Sequence, residues 1–361
     1  MKVRILAYYL PQFHPFKEND EWWGKGFTEW TNVARAKKLF LGHYQPHIPA
    51  DLGFYDLRVP EVREQQAELA RMAGIEAFCY YEYWFGNGRQ LMELPFEEVV
   101  STGKPDFPFC LCWANHSWYK KLWDPQKKGK DKLLIEQKYP GKDDYINHFN
   151  HLLPAFRDNR YVRVNGKLVY VIYDVKGFKD VSNFMALWRK LAKDNGLNDF
   201  YFIATDFNSE NRREYIELGF DAIHNIDYIN IYHIAPKWKK ALLTFGRKYL
   251  RIPMVYSYKK AIKYMIHPTC SERDVIPVIV PNWDHTPRSS FKGTVFTNSR
   301  PGYFKQLAKE ALLTVKDKPE EERIVFLKSW NEWGEGNYME PDYKYGNGYI
   351  KALSEAINEI N

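Results

Sequence analysis

The sequence predicts an α/β fold, a single (β/α)8 barrel with long loops at the carboxyl-terminal face of its strands. Short apolar runs alternate with amphipathic stretches from one end of the chain to the other. This is the pattern of buried parallel strands that are separated by helices. The alternation repeats eight times, which is the number of strands that closes such a barrel. The 361 residues are more than enough to form the core of this fold.

The predicted strands are continuous apolar runs, as expected of strands that are covered on both faces. They span residues 3–9, 75–83, 107–114, 168–174, 200–206, 220–224, 277–283 and 324–330. Between them, apolar side chains recur at helical spacing, so each helix would bury one face against the barrel. The clearest helical segments are residues 61–72, 144–156, 184–195, 303–315 and 350–360.

An open, doubly wound sheet would also alternate strands and helices. Such a sheet usually carries a glycine-rich phosphate-binding turn after its first strand, whereas here residues 11–14 read Pro-Gln-Phe-His. The barrel is therefore the preferred prediction. Barrel enzymes form their active sites from loops at the carboxyl ends of the strands, so catalytic residues are expected there.

Two connections are long enough to have a role of their own. Residues 10–58 are rich in aromatic side chains, and we expect them to fold over the barrel mouth with Trp30 in a sugar subsite. Residues 228–271, between the sixth and seventh strands, contain nine Lys or Arg and no Asp or Glu. This basic insertion predicts contact with an anionic glycan, a lipid-linked phosphate or an anionic membrane surface, a solvated face being the alternative.

Composition narrows the functional class. Aromatic residues make up 17% of the chain, and their flat apolar faces suit either sugar binding or a large aromatic core. The net charge is only +7, and no nucleic-acid partner is indicated. The apolar stretch at residues 5–10 is too short for an export signal or a membrane span, so we expect a cytoplasmic protein.

The strongest local signal is the sequence SWNEWGEG at residues 329–336, directly after the eighth strand. Glu332 and Glu335 are three residues apart, which in a helical or turn-like backbone places their Cβ atoms ~5–6 Å apart. Retaining glycosidases need two carboxyl groups ~5–5.5 Å apart. Because close like charges raise one of the two pKa values, the pair can supply one acid and one base. The alternative is a pair of solvated surface glutamates.

Several further motifs accompany this one. They are YLPQFH at 9–14, GFTEW at 26–30, GHYQP at 42–46, LGFYDL at 52–57, YYEYWF at 80–85 and CWAN at 112–115. Together with WNEWGEG at 330–336, they resemble the WbsX family over nearly the whole chain. That family is named as a glycosyltransferase of bacterial surface-polysaccharide gene clusters. It is similar to the endo-α-mannosidases of glycoside hydrolase family 99.

The resemblance implies a (β/α)8 barrel and a retaining reaction without a conventional glycosyl-enzyme. By resemblance, Glu332 takes the proton of the substrate's own 2-hydroxyl, which attacks the anomeric carbon to give a 1,2-anhydro sugar. Glu335 protonates the leaving oxygen and then activates the incoming water or sugar hydroxyl. This route requires a 2-hydroxyl trans to the leaving group, as in α-manno or α-rhamno donors. Many relatives carry an acidic residue where this chain has His116, which puts the subsite specificity in doubt.

Other residues near the predicted strand ends are candidates for substrate binding. Aromatic side chains are expected to stack on sugar faces, and polar ones to bind hydroxyls, with core packing or loop orientation as the alternatives. The candidates are Tyr9, Trp30, Tyr81, Trp84, Trp113, Asn115, His116, Asp174, Asp206, His224, Trp283, Asn331 and Trp333.

No cofactor or metal is predicted. His43 and His47 have metal-ligand spacing, but Pro46 between them is incompatible with the helix of a zinc site. His148 and His151 lack a third ligand. No Asp-x-Asp pair, P-loop or dinucleotide fingerprint occurs.

The sequence therefore predicts a retaining, endo-acting glycoside hydrolase that cleaves α-manno or α-rhamno linkages in a bacterial surface or capsular polysaccharide. The alternatives are a glycosyltransferase or transglycosylase in lipopolysaccharide, O-antigen or capsule synthesis, and a catalytically silent glycan-binding barrel. The expected partner is an oligosaccharide or polysaccharide, either anionic or lipid-linked. Peripheral membrane contact is expected through the basic insertion.

Overall fold

Eight parallel strands form the centre of the protein in a computed structural model, which describes residues 2–120, 132–207, 210–226 and 235–360. They are β1 (Arg4–Tyr9), β2 (Ala77–Glu82), β3 (Phe109–Trp113), β4 (Lys167–Ile172), β5 (Phe200–Asp206), β6 (Ala222–Asn225), β7 (Val275–Ile276 with Val278–Ile279) and β8 (Ile324–Leu327). Nearly every residue in these strands is buried, as the continuous apolar runs predicted.

The sheet closes on itself through β7. Each strand pairs in parallel with the next along the chain from β1 to β6, and β1 also pairs with β8. Pro277, which has no N–H to donate, divides β7 into two short pieces. The first piece pairs with β6 and the second with β8. This closure confirms the predicted α/β barrel.

Helices surround the barrel and also occur in its loops. They are α1 (Lys17–Trp23), α2 (Glu29–Arg35), α3 (Pro60–Ala73), α4 (Leu94–Thr102), α5 (Lys142–Arg157), α6 (Val181–Asp194), α7 (Arg212–Glu217), α8 (Lys237–Tyr249), α9 (Tyr258–Ala261), α10 (Thr286–Ser289), α11 (Pro301–Thr314) and α12 (Gly348–Asn358). The five segments with the clearest helical spacing correspond to α3, α5, α6, α11 and α12. Pro60 begins α3 and left-handed Gly74 ends it, in accordance with the usual preferences at helix ends.

Short strand pairs shape the loops at the carboxyl-terminal face. Trp118–Lys120 pairs with Lys132–Ile135 after β3, and Met254–Ser257, before β7, pairs with Thr294–Thr297, after β7. Asn331–Glu332 pairs with Asn337–Tyr338 after β8. Among the described residues, we find no helix that is long and apolar enough to cross a membrane.

The two long connections contain much regular structure. Residues 10–58 include α1 and α2, and Trp30 of α2 packs against Phe13 and Tyr55. The basic insertion is described from residue 235 onward, and its residues 228–234 lie outside the described part of the chain. Its main element is α8, which has no buried residue.

Candidate active site

A cavity of about 560 Å³ opens at the carboxyl-terminal face of the barrel. Loops after six strands (β1, β2, β3, β4, β7 and β8) supply its walls. Segment 10–58 contributes six of the lining residues, which are Leu10, Gln12, Trp23, Phe27, Glu29 and Asn32. Glu332 and Glu335 lie in the wall that β8 supplies.

The SWNEWGEG segment forms a tight hairpin that presents both glutamates to this cavity. A single 3₁₀ turn, Trp333–Glu335, joins its two short strands. Gly336 ends the turn with a φ of +54°, and a Cβ on it would lie 2.7 Å from the Cβ of Asp284. A Cβ on Gly334 would overlap a carboxylate oxygen of Glu29. The two glycines therefore allow the loops after β1 and β7 to approach the glutamates closely.

Buried polar contacts fix the hairpin from behind. The side chain of Asn331 accepts from the backbone N–H of Leu10 at 2.7 Å and donates to its carbonyl at 3.0 Å. The indole N–H of Trp333 donates to Glu340 at 2.6 Å, and its ring stacks on Tyr338 with centroids 3.7 Å apart. Because these side chains are fully paired, the backbone that carries the two glutamates is held in one position.

The two carboxylates lie between two cations. Lys328 Nζ is 2.9 Å from Glu332 Oε1 and 3.7 Å from Glu335 Oε2. Arg288 Nη1 is 2.7 Å from Glu335 Oε1 and 3.3 Å from Glu332 Oε2. Arg288 also donates through Nε to Glu29 at 2.8 Å. Three carboxylates and two cations thus share one site that is largely closed to solvent.

The surroundings separate the pKa values of the two glutamates. Burial raises the pKa of Glu332, and the charge of Glu335 adds to this effect, although Lys328 and Arg288 oppose it. Burial also acts to raise the pKa of Glu335, but Lys328, Arg288 and a hydrogen bond from Glu332 outweigh it, so that this pKa is lowered. The surroundings therefore favour protonation of Glu332 over protonation of Glu335.

Neutral polar and aromatic groups form the rest of the wall. Lys328 Nζ donates to the hydroxyl of Tyr81 at 3.2 Å, and the ring of Tyr81 stacks on Tyr8. Burial raises the pKa values of Tyr81, Tyr83 and Tyr173, so their hydroxyls stay protonated and can donate to a ligand. Burial lowers the pKa of His116, whose imidazole is therefore neutral near pH 7.

Four of the predicted site residues line this cavity, namely Glu332, Glu335, Tyr81 and His116. The structure places the others elsewhere. Tyr9 lies outside the barrel, where its hydroxyl donates to Gln66 at 2.6 Å. Asn331 and Trp333 support the hairpin from behind. Trp30, the predicted sugar subsite, is 8% exposed and donates its indole N–H to the carbonyl of Tyr55.

Two more of the predicted tryptophans are core residues between the barrel and its helices. Trp84 stacks on His148 of α5 at 4.6 Å and donates to Asp144. Trp113 donates to the carbonyl of Trp84 and packs against Phe184 of α6. Trp283 is partly exposed, but it lines a second cavity of about 320 Å³ on the other side of the β7 loop.

The remaining polar candidates orient loops or fill the barrel. Asn115 donates to the carbonyl of Asp174, and Asp174 accepts from Gly177 N–H in its own loop. Asp206 accepts from the backbone and side chain of Asn211. His224 lies in the barrel interior, 2.7 Å from the hydroxyl of Tyr8, and burial lowers its pKa to about 3. Such a histidine is neutral and out of reach of a ligand at the mouth.

Sequence reasoning missed Lys328, Arg288, Glu29, Tyr83 and Tyr173. Tyr83 and Tyr173 directly precede the predicted residues Trp84 and Asp174. Side chains along a strand alternate between its two faces, so a prediction that is displaced by one residue selects the wrong face. The same alternation could have identified Lys328, because it lies two positions after Phe326 and so on the same, interior face of the strand. Glu29 lies in the GFTEW motif, but nothing local pairs it with Arg288, since their contact joins segments 259 residues apart.

Within the described ranges, no group of three or more His, Cys, Asp or Glu side chains is arranged to bind a metal. The histidines with ligand-like spacing have other partners. His43 lies 2.7 Å from Asp284, and His148 lies 2.7 Å from Glu82.

Solved structures with the same fold include a glycoside hydrolase-like protein, with a TM-score of 0.60 at 15% identity, covering 98% of this chain and 93% of that one. They also include the GH99 endo-alpha-mannosidase from Bacteroides thetaiotaomicron in complex with BIS-TRIS-propane. It has a TM-score of 0.57 at 16% identity and covers 99% of this chain and 96% of that one. These matches show a glycoside hydrolase-like fold for this chain.

Closer relatives come from sequence. The uncharacterized protein WxcX of Xanthomonas campestris pv. campestris (strain B100) is 35% identical over 363 residues, which is 99% of this chain and 50% of that protein. A second strain of the same pathovar has an equally similar WxcX. The chain thus spans about half the length of these relatives. The family model described as Glycosyltransferase WbsX matches residues 5–353. The chain belongs to the WbsX family.

Proposed function

We propose that this protein is a carbohydrate-active enzyme, a retaining and endo-acting glycoside hydrolase of α-manno or α-rhamno linkages in a bacterial surface polysaccharide. One observation carries the proposal: Glu332 and Glu335 lie together at the barrel mouth between the same two cations, and their pKa values are shifted in opposite directions. Glycosidases usually use two carboxyl groups with different pKa values as the acid and the base at the glycosidic bond.

The cavity around the pair suits a sugar. Its volume of about 560 Å³ lies in the range typical of small-molecule sites. Trp23, Phe27 and Trp118 offer apolar ring faces for the C–H surface of a pyranose, while Tyr83 and Tyr173 offer hydroxyl groups for its oxygens.

We propose a reaction in which Glu332 takes the proton of the 2-hydroxyl while O2 forms a bond to C1. At the same time the bond from C1 to the leaving oxygen breaks, and Glu335 gives that oxygen its proton. Glu335 then takes a proton from water, which opens the 1,2-anhydro ring at C1, and Glu332 returns its proton to O2. Two inversions at C1 give net retention.

This sequence of steps needs the proton on Glu335 at the start, whereas the surroundings raise the pKa of Glu332 and lower that of Glu335. The two carboxyl groups contact the same two cations, Lys328 and Arg288, so a change at either cation alters which group holds the proton. Arg288 favours the ionised form of Glu335, because its Nη1 is closer to that carboxylate than to Glu332. We therefore propose that substrate binding loosens the contact between Arg288 and Glu335 and so moves the proton to the acid.

Separate variants of the two glutamates test the assignment. Glu335→Gln should slow substrates with poor leaving groups by about 10²–10⁴-fold and activated aryl or fluoride glycosides far less, since activated groups leave without protonation. Glu332→Gln should slow both kinds. A 2-deoxy donor should be inert with the unchanged enzyme. Turnover of that donor would contradict the anhydro route, and near-normal turnover by both variants would contradict the catalytic pair.

A second candidate is a glycosyltransferase or transglycosylase in lipopolysaccharide, O-antigen or capsule synthesis, which the family description favours. The same intermediate can be opened by a sugar hydroxyl in place of water. Release of new reducing ends from a mannan or rhamnan supports hydrolysis, whereas transfer of label to a glycan acceptor supports the alternative. Glycan binding without turnover would leave only a binding role.

The setting of the reaction belongs to the same proposal. We propose that the glycan is anionic or attached to a lipid, and that the enzyme meets it at the cytoplasmic side of a membrane. The charge and shape of the basic insertion support this setting.

A further inference from the structure

Helix α8 exposes an apolar face that no described part of the chain covers. Trp238, Leu242, Phe245 and Tyr249 follow one another at intervals of four, three and four residues, so they lie on one side of the helix. More than half of each of these residues is exposed, with Trp238 at 70%. Exposing so much large apolar surface in one place is unusual for a soluble protein and indicates a binding surface.

Positive charge surrounds this face. Lys237, Lys239 and Lys240 lie in the first turn of the helix, and Arg247 and Lys248 lie in its last turn. The described residues 235–271 contain no acidic side chain at all. Within the described structure, we find no ion pair between Arg247, Lys248 or Arg251 and a carboxylate. An apolar face flanked by Lys and Arg is typical of helices that lie in the surface plane of an anionic membrane.

The positive charge around α8 favours an anionic lipid surface over a second copy of this chain as the partner that covers it. If a second copy of this chain covered it, two acid-free segments with nine cations each would face one another, and their repulsion opposes that contact. An anionic lipid surface instead attracts the cations and accepts the apolar side chains. With 13 residues, α8 is too short to span a bilayer, which needs about 20. It is long enough to lie along the surface.

The other side of α8 is connected to the candidate active site. Arg247 of this side lies 3.8 Å from the sulfur of Met254, in the strand that pairs with Thr294–Thr297. Arg251, just after the helix, lies over the ring of Phe291 at 5.9 Å. Phe291 is three residues beyond Arg288, which contacts both catalytic carboxylates. The loop after β7 therefore links the exposed helix to the cavity.

We propose that α8 is an interfacial membrane-binding helix. Trp238, Leu242, Phe245 and Tyr249 enter the boundary between headgroups and acyl chains of an anionic leaflet, and the flanking lysines contact lipid phosphates. Docking in this way brings the barrel mouth to the surface where a lipid-linked glycan is presented. That last step rests on the proposed function, but the docking itself does not.

Flotation with vesicles tests the docking. The full chain should float with phosphatidylcholine vesicles that contain about a third phosphatidylglycerol and stay behind with pure phosphatidylcholine. Lys237→Ser with Lys248→Ser should weaken partitioning about 30-fold at low salt, because each lysine near an anionic surface contributes roughly five-fold. The matched control is Lys316→Ser with Lys351→Ser. Both lysines are exposed; Lys316 lies in the segment after α11, and Lys351 lies in α12. This control should bind with less than a two-fold change.

A second pair of variants tests the apolar contact. Trp238→Ser with Phe245→Ser should abolish flotation, whereas Leu41→Ser with Leu313→Ser, which are also exposed apolar residues, should leave it unchanged. Light scattering of each variant reports its mass in solution. Equal flotation of the α8 variants and the controls would overturn the proposal, and so would a change from dimer to monomer on substitution of Trp238 and Phe245.

Two controls separate this proposal from the catalytic one. The α8 variants should cleave a soluble activated glycoside at the unchanged rate, which also shows that they fold. Glu335→Gln should float like the unchanged protein. If the α8 variants lost binding to a soluble anionic polysaccharide but kept flotation, the surface would be a glycan site and the membrane proposal would be wrong.

Discussion

Replacing Arg288 by glutamine should move the pH optimum of the reaction to higher pH. Arg288 contacts both members of the carboxyl pair, at 2.7 Å from Glu335 and 3.3 Å from Glu332. Its charge lowers the pKa of each carboxyl group. The proposed reaction requires one proton on the pair, so the rate should fall at low pH when both groups are protonated and at high pH when both are ionised. Removing the cation raises both apparent pKa values and shifts both limbs in the same direction.

The size of the shift follows from the geometry. Two unit charges ~4 Å apart in a medium with an effective dielectric constant of about 20 interact by roughly 4 kcal/mol. One pKa unit corresponds to about 1.4 kcal/mol, so this interaction would move a pKa by at most about 3 units. Lys328 remains 2.9 Å from Glu332 and continues to favour the ionised pair. We therefore expect an alkaline shift of about 1–3 pH units, in line with the usual effect of a contacting cation.

The assay is kcat/KM for a soluble glycan substrate as a function of pH. Arg212→Gln, which breaks an ion pair with Asp274 outside the cavity, is the control and should leave the profile in place. Because Arg288→Gln also leaves Glu29 without its cation, the double variant with Glu29→Gln should recover much of any lost thermal stability. A pH profile of Arg288→Gln that is unchanged, or shifted to lower pH, would refute the electrostatic reasoning.

Two further predictions concern side chains around the hairpin. Gly334→Ala should reduce activity at least tenfold without unfolding the barrel, because the added Cβ would overlap the Glu29 carboxylate. The control is Gly302→Ala, because nothing lies within 4 Å of a Cβ at that position. This control should leave both the rate and the melting temperature nearly unchanged. Trp30→Ala should lower stability by about 3–5 kcal/mol, as expected for a buried tryptophan. Trp23 is a partly exposed residue of the cavity wall, so Trp23→Ala should instead raise KM with little change in melting temperature. If Trp30→Ala raised KM and Trp23→Ala lowered the melting temperature, Trp30 and not Trp23 would contact the sugar.

The fold could be predicted because its signals are local. A strand buried on both faces needs a continuous apolar run, and a helix on the barrel needs an apolar stripe, so each element can be recognised within a short window. Pro277 shows the limit of this reasoning. The seventh predicted strand includes Pro277, which cannot donate a backbone hydrogen bond. Only the structure shows how the barrel closes around it: the piece of β7 before Pro277 pairs with β6, and the piece after it pairs with β8.

The site could be predicted only in part, because alternation along a strand decides which side chains face the cavity. Tyr81 and Tyr83 line it, whereas Trp84 packs beneath α5. The same rule places Tyr173 in the wall and leaves Asp174 in its loop. Aromatic and polar residues at a strand end thus identify the correct region but not the correct face, unless the register is known.

The pKa shifts of Glu332 and Glu335 depend in part on Arg288, which is distant in sequence, and this is why spacing alone could not assign them. Two glutamates three residues apart predict only that one of the two pKa values is raised. Two cations from separate loops lower both pKa values, namely Lys328, just after β8, and Arg288 of α10. A sugar that moves Arg288 by even a small distance changes this balance, because the Coulomb energy between close charges varies steeply with separation. Under the proposed mechanism, the position of Arg288 therefore determines when Glu335 becomes the acid.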